Sequence, residues 1–166
     1  DAVLQTGALC EAAICYTGNV LAGGDNRYDL AYYVRHARAL EQAGAHILCI
    51  KDMAGVCRPE AIRLLVRTLR SESALPLHFH THDTSGIAAA SVLAAVEAGC
   101  DAVDVAMAPW SGITAQPNLD SIAAALSDTP RDTGLDPDAL RAVARYWEVV
   151  RQNYGAFEGE LRSGTA

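Results

Sequence analysis

Leu75-Pro-Leu-His-Phe-His-Thr-His-Asp-Thr-Ser-Gly86 is the stretch whose reading decides the fold. An apolar entry and a Pro that can open a strand precede His78, His80 and His82, and polar residues and a Gly follow. Side chains on a strand alternate between faces. The three histidines therefore share one face, about 6.6 Å apart along the strand. Imidazoles at i and i+2 can hold one divalent ion such as Zn²⁺ or Mn²⁺ between them. The alternative is a polar strand whose histidines bond backbone carbonyls. Three of them on one face, at the strand's carboxyl end, favour the metal.

Working outward, residues 8–16 and 46–51 read as apolar strands before this one, and 102–107 as a fourth after it. Between and beyond them, 28–43, 59–70, 86–98, 118–127 and 137–154 carry helical periodicity. Asp25 or Asn26 is expected to cap the first of these. Pro59 suits a helix first turn, and Gly44 and Gly99 suit helix ends. Apolar strands alternating with amphipathic helices predict a parallel sheet. Gln42-Ala-Gly-Ala-His-Ile-Leu and Glu97-Ala-Gly-Cys-Asp-Ala-Val echo each other, which points to repeated βα units. No GxGxxG or GxxxxGK[ST] follows a strand, which weighs against a nucleotide fold. Polar residues instead gather at every strand's carboxyl end (Tyr16-Thr17, Lys51-Asp52, 80–83, 111–116), where barrel active sites lie. Four βα units are half of an eight-fold barrel.

The chain has 166 residues, 51% hydrophobic and 20% charged, which places it among globular domains and not disordered chains. A net charge of −7 and the lack of a basic run weigh against nucleic acid. No apolar stretch has the length of a membrane span. The five scattered cysteines form no Cys-x-x-Cys pair and indicate a reducing compartment. Cys10, Cys15, Cys49 and Cys100 are expected as small core residues. Both ends of the sequence stop abruptly, so the expectation is a piece of something larger.

Lys51 closes an otherwise apolar strand, where burial would favour the neutral amine. Such an amine at a metal site can take up CO₂ as a carbamate that binds metal through oxygen. A plain ion pair with Asp52 or a loop carboxylate is the competing reading.

Glu11-Ala-Ala-Ile-Cys-Tyr-Thr-Gly, Ile50-Lys-Asp-Met-Ala-Gly, His80-Thr-His-Asp-Thr-Ser-Gly and Ser111-Gly-x-Thr-x-Gln-Pro117 occur in this order. Tyr146-Trp-Glu-x-Val-Arg and Leu161-Arg-Ser-Gly-Thr-Ala follow them. Together they resemble the second half of the carboxyltransferase domain of pyruvate carboxylases, over essentially the whole chain. The resemblance implies a TIM (β/α)8 barrel, of which residues 1–166 supply about the last four βα units plus a C-terminal helix. It also implies a metal at the barrel's carboxyl face, held by Lys51 as carbamate, His80 and His82. His78, one step deeper on the same face, is then expected in the core. The family's fourth ligand, an Asp in Asp-Ala-x-Gln, has no counterpart here, nor do its pyruvate-binding Arg and Gln or its proton-shuttling Thr.

The activity so implied is transfer of a carboxyl group from carboxybiotin to pyruvate, giving oxaloacetate. Biotin would arrive on a carrier domain, and ATP would be used on another domain. The family setting implies a homo-oligomer in the cytoplasm, or in the mitochondrial matrix of a eukaryote. Competing readings are a decarboxylase or transcarboxylase subunit, a metalloaldolase or acyl-CoA lyase of the same barrel superfamily, and a non-catalytic scaffold. Lys51 separates the carboxyltransferases from the aldolases and lyases. The inner wall of the sheet is expected to be apolar (Leu9, Ile14, Ile47, Val103, Val105), leaving open edges that associate; the isolated chain is expected to be inactive. Tyr32, Tyr33, Tyr146, Trp147 and Tyr154 are expected to pack between helices, and Trp110 to lie exposed near the site.

Overall fold

The computed structural model describes residues 2–23 and 26–159. After a short helix α1 (Ala2–Gln5), the chain alternates β1 (Glu11–Cys15), α2 (Leu30–Gln42), β2 (Ile47–Asp52), α3 (Pro59–Glu72), β3 (Leu77–Thr81), α4 (Ala88–Ala98) and β4 (Ala102–Val103). Helices α5 (Leu119–Leu126) and α6 (Pro137–Gln152) follow. The strands pair in parallel in the order β1-β2-β3-β4, the arrangement of a partial α/β barrel. The fourth strand is shorter than expected. Asp104 still donates its backbone N–H to Phe79. Beyond it Ala106 turns to bridge Asn118, and Pro109 sits in a 3₁₀ turn, so the pairing ends.

Strand parity decides where everything points. Leu48, Ile50, Leu77 and Phe79 are fully buried against the helices. There they meet Ile62, Leu65, Val66 and Leu69 of α3 and Val92 and Ala95 of α4. Ile14 and Val103 share register with Ile50 and Phe79, so they belong to this outer core and not to an inner wall. The expectation of an apolar inner wall is thereby corrected. The inner face carries Glu11, Cys15, Lys51, His78 and His80, with Ile47 its one large apolar side chain on the paired strands. Leu9 lies outside the strand and is 76% exposed.

The echoed segments are two copies of one junction. At each, a left-handed glycine (Gly44, φ 90°; Gly99, φ 106°) ends a helix, and the next residue's N–H closes onto the last turn, Ala45 to Leu40 and Cys100 to Ala95. The residue after that reaches back to the preceding strand. His46 Nδ1 accepts from the Cys10 N–H at 2.9 Å, and an Asp101 carboxylate oxygen accepts from the Leu77 N–H at 2.7 Å.

Asp29 caps α2, its carboxylate accepting the Tyr32 N–H at 2.8 Å. Asn26 instead braces the preceding loop through Asn19 and Tyr28, and Asp25 lies outside the described residues. Cys49, Cys57 and Cys100 are buried, whereas Cys15 is exposed on the inner face and Cys10 is half-buried. Tyr33 is fully buried, but Tyr146 and Tyr154 are 63% and 52% exposed. Trp110 does not stand free: its ring meets Trp147 and Tyr154 edge-on at 6.4 and 6.0 Å, fastening α6 to the turn after β4. The Leu161–Ala166 part of the resemblance lies outside the described residues. No helix among the described residues is long and apolar enough to cross a membrane.

Candidate metal centre

Register builds the site as a row across the sheet. Cys15, Lys51 and His80 are lateral neighbours on β1, β2 and β3. Ala102 pairs with His78, so Asp104, two residues on, continues the row beside His80. His82 follows at the end of β3, and its Nε2 lies 3.1 Å from His80 Nε2.

The outer nitrogens of this pair are committed. His80 Nδ1 lies 2.6 Å from an Asp104 carboxylate oxygen, and His82 Nδ1 lies 2.6 Å from the Thr114 carbonyl. A carboxylate and a carbonyl can only accept, so each Nδ1 carries its proton. Two Nε2 lone pairs are thus left facing each other. Lone pairs at that distance repel unless a cation lies between them. A spacing of 3.1 Å suits two metal–nitrogen bonds of about 2.1 Å meeting near a right angle. The donor set fits a divalent metal.

The sequence motifs account for how the pair is held. Gly55, in Lys-Asp-Met-Ala-Gly, has φ +65°, and a Cβ there would stand 2.1 Å from the His82 carbonyl oxygen. Only glycine lets the turn after β2 touch the backbone of His82. Thr84 and Ser85 then donate to the carbonyls of Ala54 and Gly55, tying the two motifs together. On the far side, the Ser111-Gly-x-Thr-x-Gln loop presents the Thr114 carbonyl to His82, and Ala115 O accepts the Asp83 N–H at 2.8 Å. Ile113 in that loop sits at φ 55°, a left-handed conformation costly for a β-branched residue.

Asp52 is not the partner of Lys51. It is fully buried on the opposite face, where its carboxylate accepts from the Val56 and Cys57 N–H groups and the Thr81 hydroxyl. Among the described residues the ion pairs do not include Lys51. Lys51 is half-buried beside His80, a position compatible with the carbamate reading.

His78 lies one step below on the same face, but it is a charged link and not an apolar core residue. Its Nδ1 meets a Glu11 carboxylate oxygen and its Nε2 an Asp104 oxygen, both at 3.0 Å. Burial alone would lower its pKa; the two carboxylates outweigh that and raise it. Asp104 shows the mirror case. Burial would raise its pKa, but contacts with His80 and His78 hold it below its ordinary value. Cys49, beside His78 in register, has its thiol pushed up to about 12, first by burial and then by Glu11 and Asp104. Asp104 is the residue that sequence reasoning missed. The available signal was an acid between Val103 and Val105 at the parity that faces the histidines.

The HMGL-like family profile matches residues 19–146. The chain is 47% identical over 169 aligned positions to pyruvate carboxylase 1 of Caenorhabditis elegans, and 45% over 163 to pyruvate carboxylase of Bacillus subtilis. These alignments cover 100% and 98% of the chain and 14% of each relative's length. The carboxyl transferase domain of Rhizobium etli pyruvate carboxylase superposes with a TM-score of 0.95 at 57% identity, over 99% of this chain and 28% of that one. That domain has also been solved with pyruvate and biocytin. None of these relatives is a lyase, an aldolase or a free-standing decarboxylase subunit. The motif order, the strand-end histidine pair and these likenesses agree: the chain belongs to the HMGL-like family and corresponds to part of the carboxyltransferase barrel of pyruvate carboxylases.

Proposed function

We propose that residues 1–166 form part of a carboxyltransferase barrel domain in a biotin-dependent pyruvate carboxylase. The reaction moves a carboxyl group from the ring nitrogen of carboxybiotin to the methyl carbon of pyruvate. One methyl proton ends on the biotin nitrogen, and the products are biotin and oxaloacetate. The observation that carries this reading is the pair of converging Nε2 lone pairs of His80 and His82, with Lys51 beside His80 in register.

His80, His82 and Lys51 as its carbamate would hold a divalent metal, Zn²⁺ or Mn²⁺. When bound, the metal supplies Lewis-acid polarisation of the pyruvate keto oxygen. Thr114 O keeps the His82 imidazole in the tautomer that presents Nε2. Gly55 and the 111–116 loop fix the depth of His82. Carboxybiotin would come on a carrier domain, charged with ATP on another domain, in a homo-oligomer of the cytoplasm or mitochondrial matrix. Support for these parts comes from the whole-length relatives, of which this chain spans 14%.

The test uses the full-length parent: metal content by elemental analysis, oxaloacetate formation, and binding of metal with and without bicarbonate. Expected are one divalent ion per chain at this site, its loss in His80→Ala/His82→Ala, and tighter binding with bicarbonate in wild type but not in Lys51→Arg. A wild-type parent that binds no metal, or makes oxaloacetate without these histidines, overturns the reading.

A further inference from the structure

We propose that Asp104 is the positioning residue of this metal centre, fixing the tautomer and direction of His80; the inference rests on the metal-centre reading above.

The geometry is specific. Asp104 lies just past β4, and its backbone N–H is bonded to Phe79 O at 3.1 Å, which ties it to the histidine strand itself. One carboxylate oxygen accepts from His80 Nδ1 at 2.6 Å, and the other meets His78 Nε2 at 3.0 Å. His78 is held in turn by Glu11 from β1. The carboxylate is therefore gripped from two sides and cannot turn without giving up a partner. A chain of contacts runs from Glu11 through His78, Asp104 and His80 to His82 and the Thr114 carbonyl, spanning the sheet beneath the proposed metal.

A carboxylate on the outer nitrogen does two things for a metal-binding imidazole. It makes Nε2 the unprotonated nitrogen, and it raises the ring's basicity. Asparagine would fit the space, but it has one acceptor and one donor end. Turned one way, its NH₂ meets His80 Nδ1 and drives that nitrogen's proton to Nε2, where the metal should bind. Turned the other way, it keeps His80 but presents NH₂ to His78 and loses the charge.

The test is chelator competition for Co²⁺ on the full-length parent after metal removal, comparing wild type with Asp104→Asn. The expected result is a 10- to 100-fold loss of metal affinity. It should come with a shift of the visible Co²⁺ absorption bands, while gel filtration and ATP-dependent biotin carboxylation match wild type. Affinity within about twofold of wild type, with unchanged bands, overturns the role of Asp104 and leaves the metal centre standing. A wild type without affinity for Co²⁺ overturns the metal centre itself, and this inference with it. If Asp104→Asn does not fold, a crystal structure of the metal-loaded wild-type parent decides. An Asp104 carboxylate within hydrogen-bond distance of His80 Nδ1 sustains the inference, and one turned away overturns it.

Discussion

The two faces of β3 differ in everything but their backbone. Leu77, Phe79 and Thr81 point to the helices and are at most 1% exposed, while His78 and His80, one residue out of phase, are half-buried on the inner face among acids. The outer face has apolar partners from α3 and α4. The inner face is held by hydrogen bonds between side chains from β1, β3 and the end of β4. One strand thus assigns cohesion and chemistry to alternate residues. Damage to either should be separable from damage to the other.

The largest effect expected is on chemistry. In the full-length parent, Lys51→Ala or His82→Ala should cut oxaloacetate formation by a factor of about 10² or more, on the scale of losing a main stabiliser of developing charge. ATP-dependent biotin carboxylation, assayed in parallel, should persist. Equal loss of both half-reactions would mean that the inner face also holds the fold, and the comparison would break.

Phe79→Ala should cost about 3–5 kcal/mol of stability, read as an earlier denaturant midpoint and faster proteolysis within this domain. His80→Ala should cost far less on the same assays. Matching losses would refute the division between faces.

Gly55→Ala is expected to act on both. Left-handed backbone costs a non-glycine residue about 1–2 kcal/mol, and the new Cβ would push on the His82 carbonyl. Stability and metal content should fall together, the second by the larger proportion.

The finest test is chemical. Iodoacetamide followed by peptide mapping should modify Cys15 readily and Cys49, Cys57 and Cys100 hardly at all. The last three are buried, and burial holds the Cys49 and Cys100 thiols at about 12 and about 11. Rapid labelling of Cys49 would show that the inner face opens to solvent.

The alternation of strands and helices was legible in the sequence because each period is local, and so was the His80–His82 pair, two residues apart on one strand. The polarity of the inner wall was not. Ile14 and Leu9 differ in parity, and only the pairing of Ile14 with Ile50 and of Val103 with Phe79 settles which valines and isoleucines face the helices. Sequence alone also left open an ion pair between Lys51 and Asp52, which strand parity rules out. Asp52 is adjacent in sequence and so on the opposite face, where the Val56 and Cys57 amides take it. The contact between Gly55 and the His82 backbone joins residues 27 positions apart, and spacing within either motif carries no trace of it. The part played by Asp104 needed β3 and β4 side by side.

The repeated helix-to-strand junctions bear on how the chain assembles in time. His46 catches the backbone of Cys10 across 36 residues, and Asp101 that of Leu77 across 24. β2 and β4 are therefore each latched to the strand made just before them. Closure between neighbouring βα units lets the sheet grow one unit at a time in the order of synthesis. The histidine strand would be clasped by β2 before Asp104 is in place, so the metal centre matures last, on a scaffold already set.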